Sequence, residues 1–188
     1  MRFVHSHPMI IMLALALALA GCNAPGLSPN APCQVTTSKQ AADRMIQRIG
    51  QQVTTRGKTI TVTASNEEVS SVMDMYLQQT KTQNPSDFIP IDHPVVCFQN
   101  GQMSIFGGVQ WGANNPVDGI VTLTAAVKDG KPVFTVQQIQ VGPVSVPADL
   151  SDELAKVVNR TISQYLTQVT ITDIKLQNGQ ISLTGKVP

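Results

Sequence analysis

Two rhythms of hydrophobic and polar positions alternate along this chain, and each predicts its own kind of element. From Ala42 the apolar residues recur at three- and four-residue steps (Ala42, Met45, Ile46, Ile49, Val53), while Arg44, Gln47 and Arg48 lie on the other side. That is the pattern of an amphipathic helix, and Gly57 breaks it. Thr59 to Thr63 is β-branched and alternating, which predicts a short strand. Ser65-Asn66-Glu67-Glu68 then carries the signature of a capping box, in which the Ser65 hydroxyl and the Glu68 carboxylate satisfy opposite orphan amides at a helix start. Val69, Val72, Met73, Tyr76 and Leu77 form the apolar stripe of the helix that follows.

A polar loop is expected from Lys81 to Pro94, and after it the period changes to two. Val95–Gln99 and Gln102–Val109 flank Asn100-Gly101, a two-residue hairpin turn in which both positions tolerate positive φ. Gly119–Asp129 alternates with Val121, Leu123, Ala125 and Val127 on one face. Asp129-Gly130 turns the chain back into Val133–Val141, where the apolar phase slips from Phe134 and Val136 to Ile139 and Val141. A change of parity implies a bulge near Gln137-Gln138 and a bend in the strand.

The stretch from Val141 to Pro147 is stiffened by two prolines. Ser151 is placed to cap a further helix with Asp152 and Glu153 in its first turn and Leu154, Val157, Val158, Ile162 and Leu166 as its stripe. A last hairpin, Val169–Gln177 and Gln180–Val187 around Asn178-Gly179, again slips parity in its first strand. The chain repeats itself here: Gln99-Asn100-Gly101-Gln102 and Gln177-Asn178-Gly179-Gln180 open two similar eleven-residue segments, each preceded by an amphipathic helix. The expected class is α+β: a curved antiparallel sheet, made of a meander plus the C-terminal hairpin, with two or three amphipathic helices on its concave face.

The first residues follow neither rhythm. Arg2 opens a short positive region, and Met9 to Ala20 is an unbroken apolar run. It is shorter than the roughly 20 residues a membrane span needs and has the layout of a signal peptide. Leu19-Ala20-Gly21-Cys22 resembles the lipobox of bacterial lipoproteins, which implies cleavage after residue 21 and acylation of Cys22. Two or three acyl chains would hold the protein stably on a membrane. Asn23 to Pro32, rich in Pro and Asn, reads as a flexible linker, with Cys33 at its end. Residues 34–188 are then one domain.

Cleavage removes Arg2, His5 and His7, which takes the formal charge from +1 to neutral and leaves His93 as the remaining histidine. A neutral chain with 13% charged residues excludes the usual nucleic-acid binder. Lys39, Arg44, Arg48, Arg56 and Lys58 against Asp43 form a local basic stretch, either a face for anionic headgroups or a solvated helix surface. Cys33 and Cys97 are an even pair in an exported chain, so a disulfide is expected, with two free thiols as the alternative. If Val96 and Phe98 face the core, Cys97 points away from it and can meet a segment crossing the sheet.

No cofactor or metal site is expected, since two cysteines and one histidine at these spacings match no zinc pattern. Asp92-His93 are neighbours on an extended strand and point to opposite faces, a poor arrangement for a catalytic pair. No nucleophile elbow, phosphate loop or metal-binding helix is present in the sequence, so no catalytic residue is assigned. Trp111, before Gly112-Ala113-Asn114-Asn115-Pro116, could anchor a partner, sit at a membrane interface or close one end of the core.

The element order, with Ser65–Glu68, the stretch Val141-Gly142 to Leu150 and the two Asn-Gly hairpins, resembles the YpmS-like and LmeA-like bacterial envelope proteins. These are relatives of the tubular lipid-binding (TULIP) superfamily, and the resemblance covers roughly Thr59 to Val187. It implies an apolar groove for acyl chains, here lined by Val69, Val72, Met73, Tyr76 and Leu77 from one helix and by Leu154, Val157, Val158 and Ile162 from the other. The same residues could equally make a dry core. Two functions are therefore expected: a lipid-binding or lipid-handling module, or an adaptor that presents a surface patch to an envelope protein. Either would be extracytoplasmic and anchored to the cell membrane, or to the outer membrane where the source has two, as the Asn after Cys22 resembles the outer-membrane-sorted class.

Overall fold

The computed structural model describes residues 31–53, 57–83, 91–109, 117–145, 159 and 169–187. Helix α1 (Lys39–Val53) leads to strand β1 (Thr59–Ser65), which runs directly into helix α2 (Asn66–Gln83). Strands β2 (Ile91–Gln99), β3 (Gln102–Val109), β4 (Val117–Lys128), β5 (Lys131–Val141) and the short β6 (Val144–Ser145) follow as a meander. Strands β7 (Thr170–Gln177) and β8 (Gln180–Lys186) form the last hairpin. The molecule is α+β with antiparallel pairing throughout. The helix from Ser151, with Leu154, Val157, Val158 and Ile162, lies outside the described residues, as do Trp111, the signal segment, Cys22 and most of the linker.

One expectation is corrected. The meander and the hairpin do not share a sheet: β2-β3-β4-β5-β6 is one, and β1-β8-β7 is another. The physical reason is that the edges of the larger sheet are already occupied. On β2 the Val96 amide donates to Ser70 Oγ (2.7 Å) and the Phe98 amide to Asn66 Oδ1 (3.0 Å), two side chains one turn apart on α2. The Phe98 carbonyl accepts from the Gly179 amide at 2.9 Å. On β5 the Asn159 side chain accepts from the Phe134 amide and donates to the Phe134 carbonyl, both at 2.7 Å, as a neighbouring strand would. An edge paired in this way cannot template another strand. The hairpin pairs instead with β1 and packs its β7 against β4 and β5.

Element ends also differ from the sequence reading. Residues 81–83 still belong to α2, and the strand after the loop begins at Ile91. It passes through a bulge in which His93 and Pro94 oppose Gly107, with His93 in the left-handed region (φ 48°). A Cβ at Gly107 would lie 2.5 Å from Ile91 Cγ2, so glycine is what lets the bulge close. The two parity slips are bulges as expected. Gln137 is the unpaired residue between Val136 and Gln138, and Thr172 is the one between Ile171 and Asp173. The capping box forms as read: Glu68 N–H donates to Ser65 Oγ (3.2 Å) and Ser65 N–H to Glu68 Oε2 (3.0 Å).

The main core lies between the two sheets. Val96, Phe98, Met103, Ile105, Val121, Leu123, Phe134 and Ile139 face Ala64 and Ile181, with Met45, Val69 and Met73 packed against them from the helices. A second, smaller cluster sits on the other face of the larger sheet, where Val95, Cys97 and Phe106 are covered by Val35, Ala31 and Cys33.

Candidate functional site

Three places in the described structure carry chemistry or exposed apolar surface, and each is built by local sequence. The first is where the segment before α1 crosses the larger sheet. Val96 and Phe98 face the main core, so alternation turns Cys97 to the opposite face, and there it is bonded to Cys33 (Cα–Cα 5.8 Å). The disulfide, with Val35, fixes the incoming chain across the outside of β2. The chain is thereby bonded to the most buried strand of the larger sheet ahead of helix α1.

The second place is the layer between the sheets. Phe98 and Leu123 are fully buried there, whereas Ala125, Val136, Ile174, Leu176 and Leu183 are only half-buried. These half-buried residues come from β4, β5, β7 and β8, and Met45, Val69 and Met73 of the helices are partly buried against the same core. Of the groove-lining residues on α2, Val69 and Met73 pack against the main core and Leu77 is buried. Val72 is half-buried and Tyr76 is 38% exposed, so the helix presents no continuous apolar trough.

The third place is polar. Arg48 of α1 reaches over the edge of β1, where Nη2 donates to the Thr63 carbonyl (2.8 Å) and to Glu68 Oε2 (2.8 Å). The guanidinium and the capping-box amide hold the Glu68 carboxyl below its ordinary range against the opposing effect of burial, and Glu68 in turn raises Arg48. A cleft of about 430 Å³ opens beside this pair, lined by Arg48, Gln52, Thr61, Thr63, Ser65, Glu68 and Gln180. A second cleft, of about 490 Å³, lies where residues 34–38 pass the start of α2, and its lining is also mostly polar.

The basic stretch is largely neutralised within the chain. Lys39 pairs with Asp43, Arg44 with Glu67 and Arg48 with Glu68, which leaves little free charge on α1 for headgroups. His93 faces Asp74 of α2 (Nδ1–Oδ1 3.8 Å), while Asp92 pairs with Lys81. The Asp74 carboxylate is further tied by the Thr37 hydroxyl at 3.4 Å. Among the described residues no group of three or more His, Cys, Asp or Glu side chains is arranged to hold a metal, and no helix is long and apolar enough to cross a membrane.

Sequence reasoning missed Ser70, Asn66 and Asn159 as edge caps and Arg48 with Gln52 as cleft residues. Ser70 breaks the apolar stripe of its own helix, which was the available signal. The others depend on elements brought together from distant parts of the chain. Compared with known proteins, the chain matches no family model and no curated sequence.

Proposed function

We propose that this chain is a lipid-tethered extracytoplasmic protein whose domain handles lipid in the layer between its two sheets. The observation that carries the reading is the half-buried apolar set Ala125, Val136, Ile174, Leu176 and Leu183 on the strands, beside a core whose centre, Val96, Phe98 and Leu123, is fully buried. Apolar side chains that the core does not fully cover suit acyl chains, whose transfer from water is worth about 0.8 kcal/mol per buried methylene. The lipobox at Leu19–Cys22 supports the setting, since a protein held at a bilayer meets its ligand there.

Native mass spectrometry with lipid extraction on the full chain tests this. Stoichiometric lipid that is lost in Val136→Trp or Leu176→Trp, in variants with unchanged circular dichroism, supports it. A mass that stays free of lipid after incubation with envelope lipid vesicles overturns it.

A second reading, an adaptor that docks an envelope protein, is favoured by one observation. Val69 and Met73 of α2 pack against the core, Leu77 is buried, and polar residues predominate in the lining of the described clefts, so the strand residues left half-buried make a short surface. A protein crosslinked through residues placed at 136 and 176, in place of lipid, would select it.

A further inference from the structure

The sequence Gln-Asn-Gly-Gln occurs at residues 99–102 and again at 177–180, and each copy turns a hairpin. Asparagine before glycine has a chemistry of its own. The glycine backbone nitrogen can attack the asparagine side-chain carbonyl, because no Cβ on the glycine obstructs the approach. A bond forms between that nitrogen and Cγ, closing a cyclic imide. The side-chain nitrogen leaves as ammonia, carrying the proton given up by the glycine amide. Water then opens the ring at either carbonyl and leaves aspartate or isoaspartate.

The two copies are folded differently. At the first turn Asn100 (φ 52°) and Gly101 (φ 74°) both lie in the left-handed region, whereas at the second only Gly179 (φ 84°) does. Asn100 and Gly101 are exposed, and a Cβ at Gly101 would meet nothing within 4 Å. Among the described residues neither the Asn100 side chain nor the Gly101 amide has a hydrogen-bond partner. At the second turn the reacting atoms are occupied. The Gly179 amide donates to the Phe98 carbonyl at 2.9 Å, and the Gly179 carbonyl accepts from the Asn66 amide at 3.0 Å. Asn178 Oδ1 accepts from the Asn100 amide at 3.1 Å. The nucleophile is thus held by its proton and the electrophile by its oxygen.

We infer that Asn100 is a site of spontaneous modification, turning to aspartate and isoaspartate as the protein ages, while Asn178 is protected by the contact between the hairpins. Freeing Gly179 for the attack breaks both of its backbone hydrogen bonds, which slows the reaction there about tenfold or more. Conversion at Asn100 puts a negative charge beside Asn178. In the isoaspartyl form the backbone runs through the side-chain carbons, so the Asn100–Asn178 bond between the two sheets is the contact it alters.

The test incubates the full chain in detergent micelles in mildly alkaline buffer, beside a sample in guanidinium chloride with its disulfide reduced. Peptide mapping by mass spectrometry follows the amide-to-acid mass gain at each asparagine, and electron-transfer fragmentation separates aspartate from isoaspartate. In the folded chain Asn100 should convert about tenfold or more faster than Asn178, with both products at position 100. In denaturant the two should convert at equal rates, since they share their flanking glutamines. Equal rates in the folded chain, faster conversion at Asn178, or an Asn100 that stays intact while the denatured chain converts overturns the inference. So does a preference for Asn100 that persists in denaturant.

Discussion

Strands β2 and β8 each border an Asn-Gly hairpin turn and each contribute to the core between the sheets, yet they are buried in opposite ways. In β2 five consecutive residues, Pro94 to Phe98, are buried, whereas β8 alternates between buried Ile181 and Gly185 and partly exposed neighbours. A sheet with one wet face shows alternation, and a strand covered on both faces reads as a continuous apolar run. What covers the second face of β2 is a short segment, Ala31 to Val35, bonded through Cys33. Among the described residues no segment crosses the outer face of β8 in the same way, and its hydroxyls pair with those of β1. The difference shows what a short cross-linked segment does to a sheet: residues 31–35 close the second face of β2.

The comparison is broken most severely by removing the clamp. Cys33→Ser with Cys97→Ser opens a loop spanning 64 residues, and urea denaturation should show a loss of about 4 kcal/mol. Hydrogen exchange should then quicken along the outer-face partners Val95 and Phe106 more than along β8. Next comes the edge. Ser70→Ala leaves the buried Val96 amide without its 2.7 Å partner and should cost about 2 kcal/mol, read in the same denaturation experiment.

A smaller effect belongs to the capping box. Because the Glu68 carboxyl sits below its ordinary value when folded, its contribution is fully present above about pH 4.3 and disappears as pH falls through the folded value. Glu68→Gln should lower stability at neutral pH by about 1 kcal/mol. It should also flatten the acid limb of a stability–pH curve. The smallest effect is expected on the wet face of β1, where Thr61→Val should change thermal stability by less than about 0.5 kcal/mol.

Much of this was legible in residue order. Ser65 and Glu68 announced the start of α2, and the Asn-Gly pairs announced two turns, now seen with Asn100 N–H donating to Asn178 Oδ1 at 3.1 Å. The slips of parity located the bulges at Gln137 and Thr172. The parity of Val96 and Phe98 was enough to turn Cys97 toward Cys33. The division into two sheets was not legible. It depends on Asn66, Ser70 and Asn159 reaching strand edges whose place in the order no local pattern reveals, and on a Gly179 amide that only the folded hairpin brings to Phe98. The polar cleft was hidden for the same reason. Arg48 and Glu68 are 20 residues apart and belong to separate helices, so the sequence read Glu68 as a helix cap and Arg48 as part of a basic stretch, with nothing to join them.

The proposed function stands on the lipid anchor expected at Cys22, which would put the apolar strip within reach of a bilayer. The direct measurement is the intact mass and N-terminal peptide mass of the protein recovered from the membranes of cells that express the full sequence. The account predicts a chain that begins at Cys22, carries two or three acyl groups there and retains the Cys33–Cys97 bond, with all processing abolished in Cys22→Ser. A chain recovered with Cys22 unmodified, or with its N-terminus elsewhere than at Cys22, would contradict it.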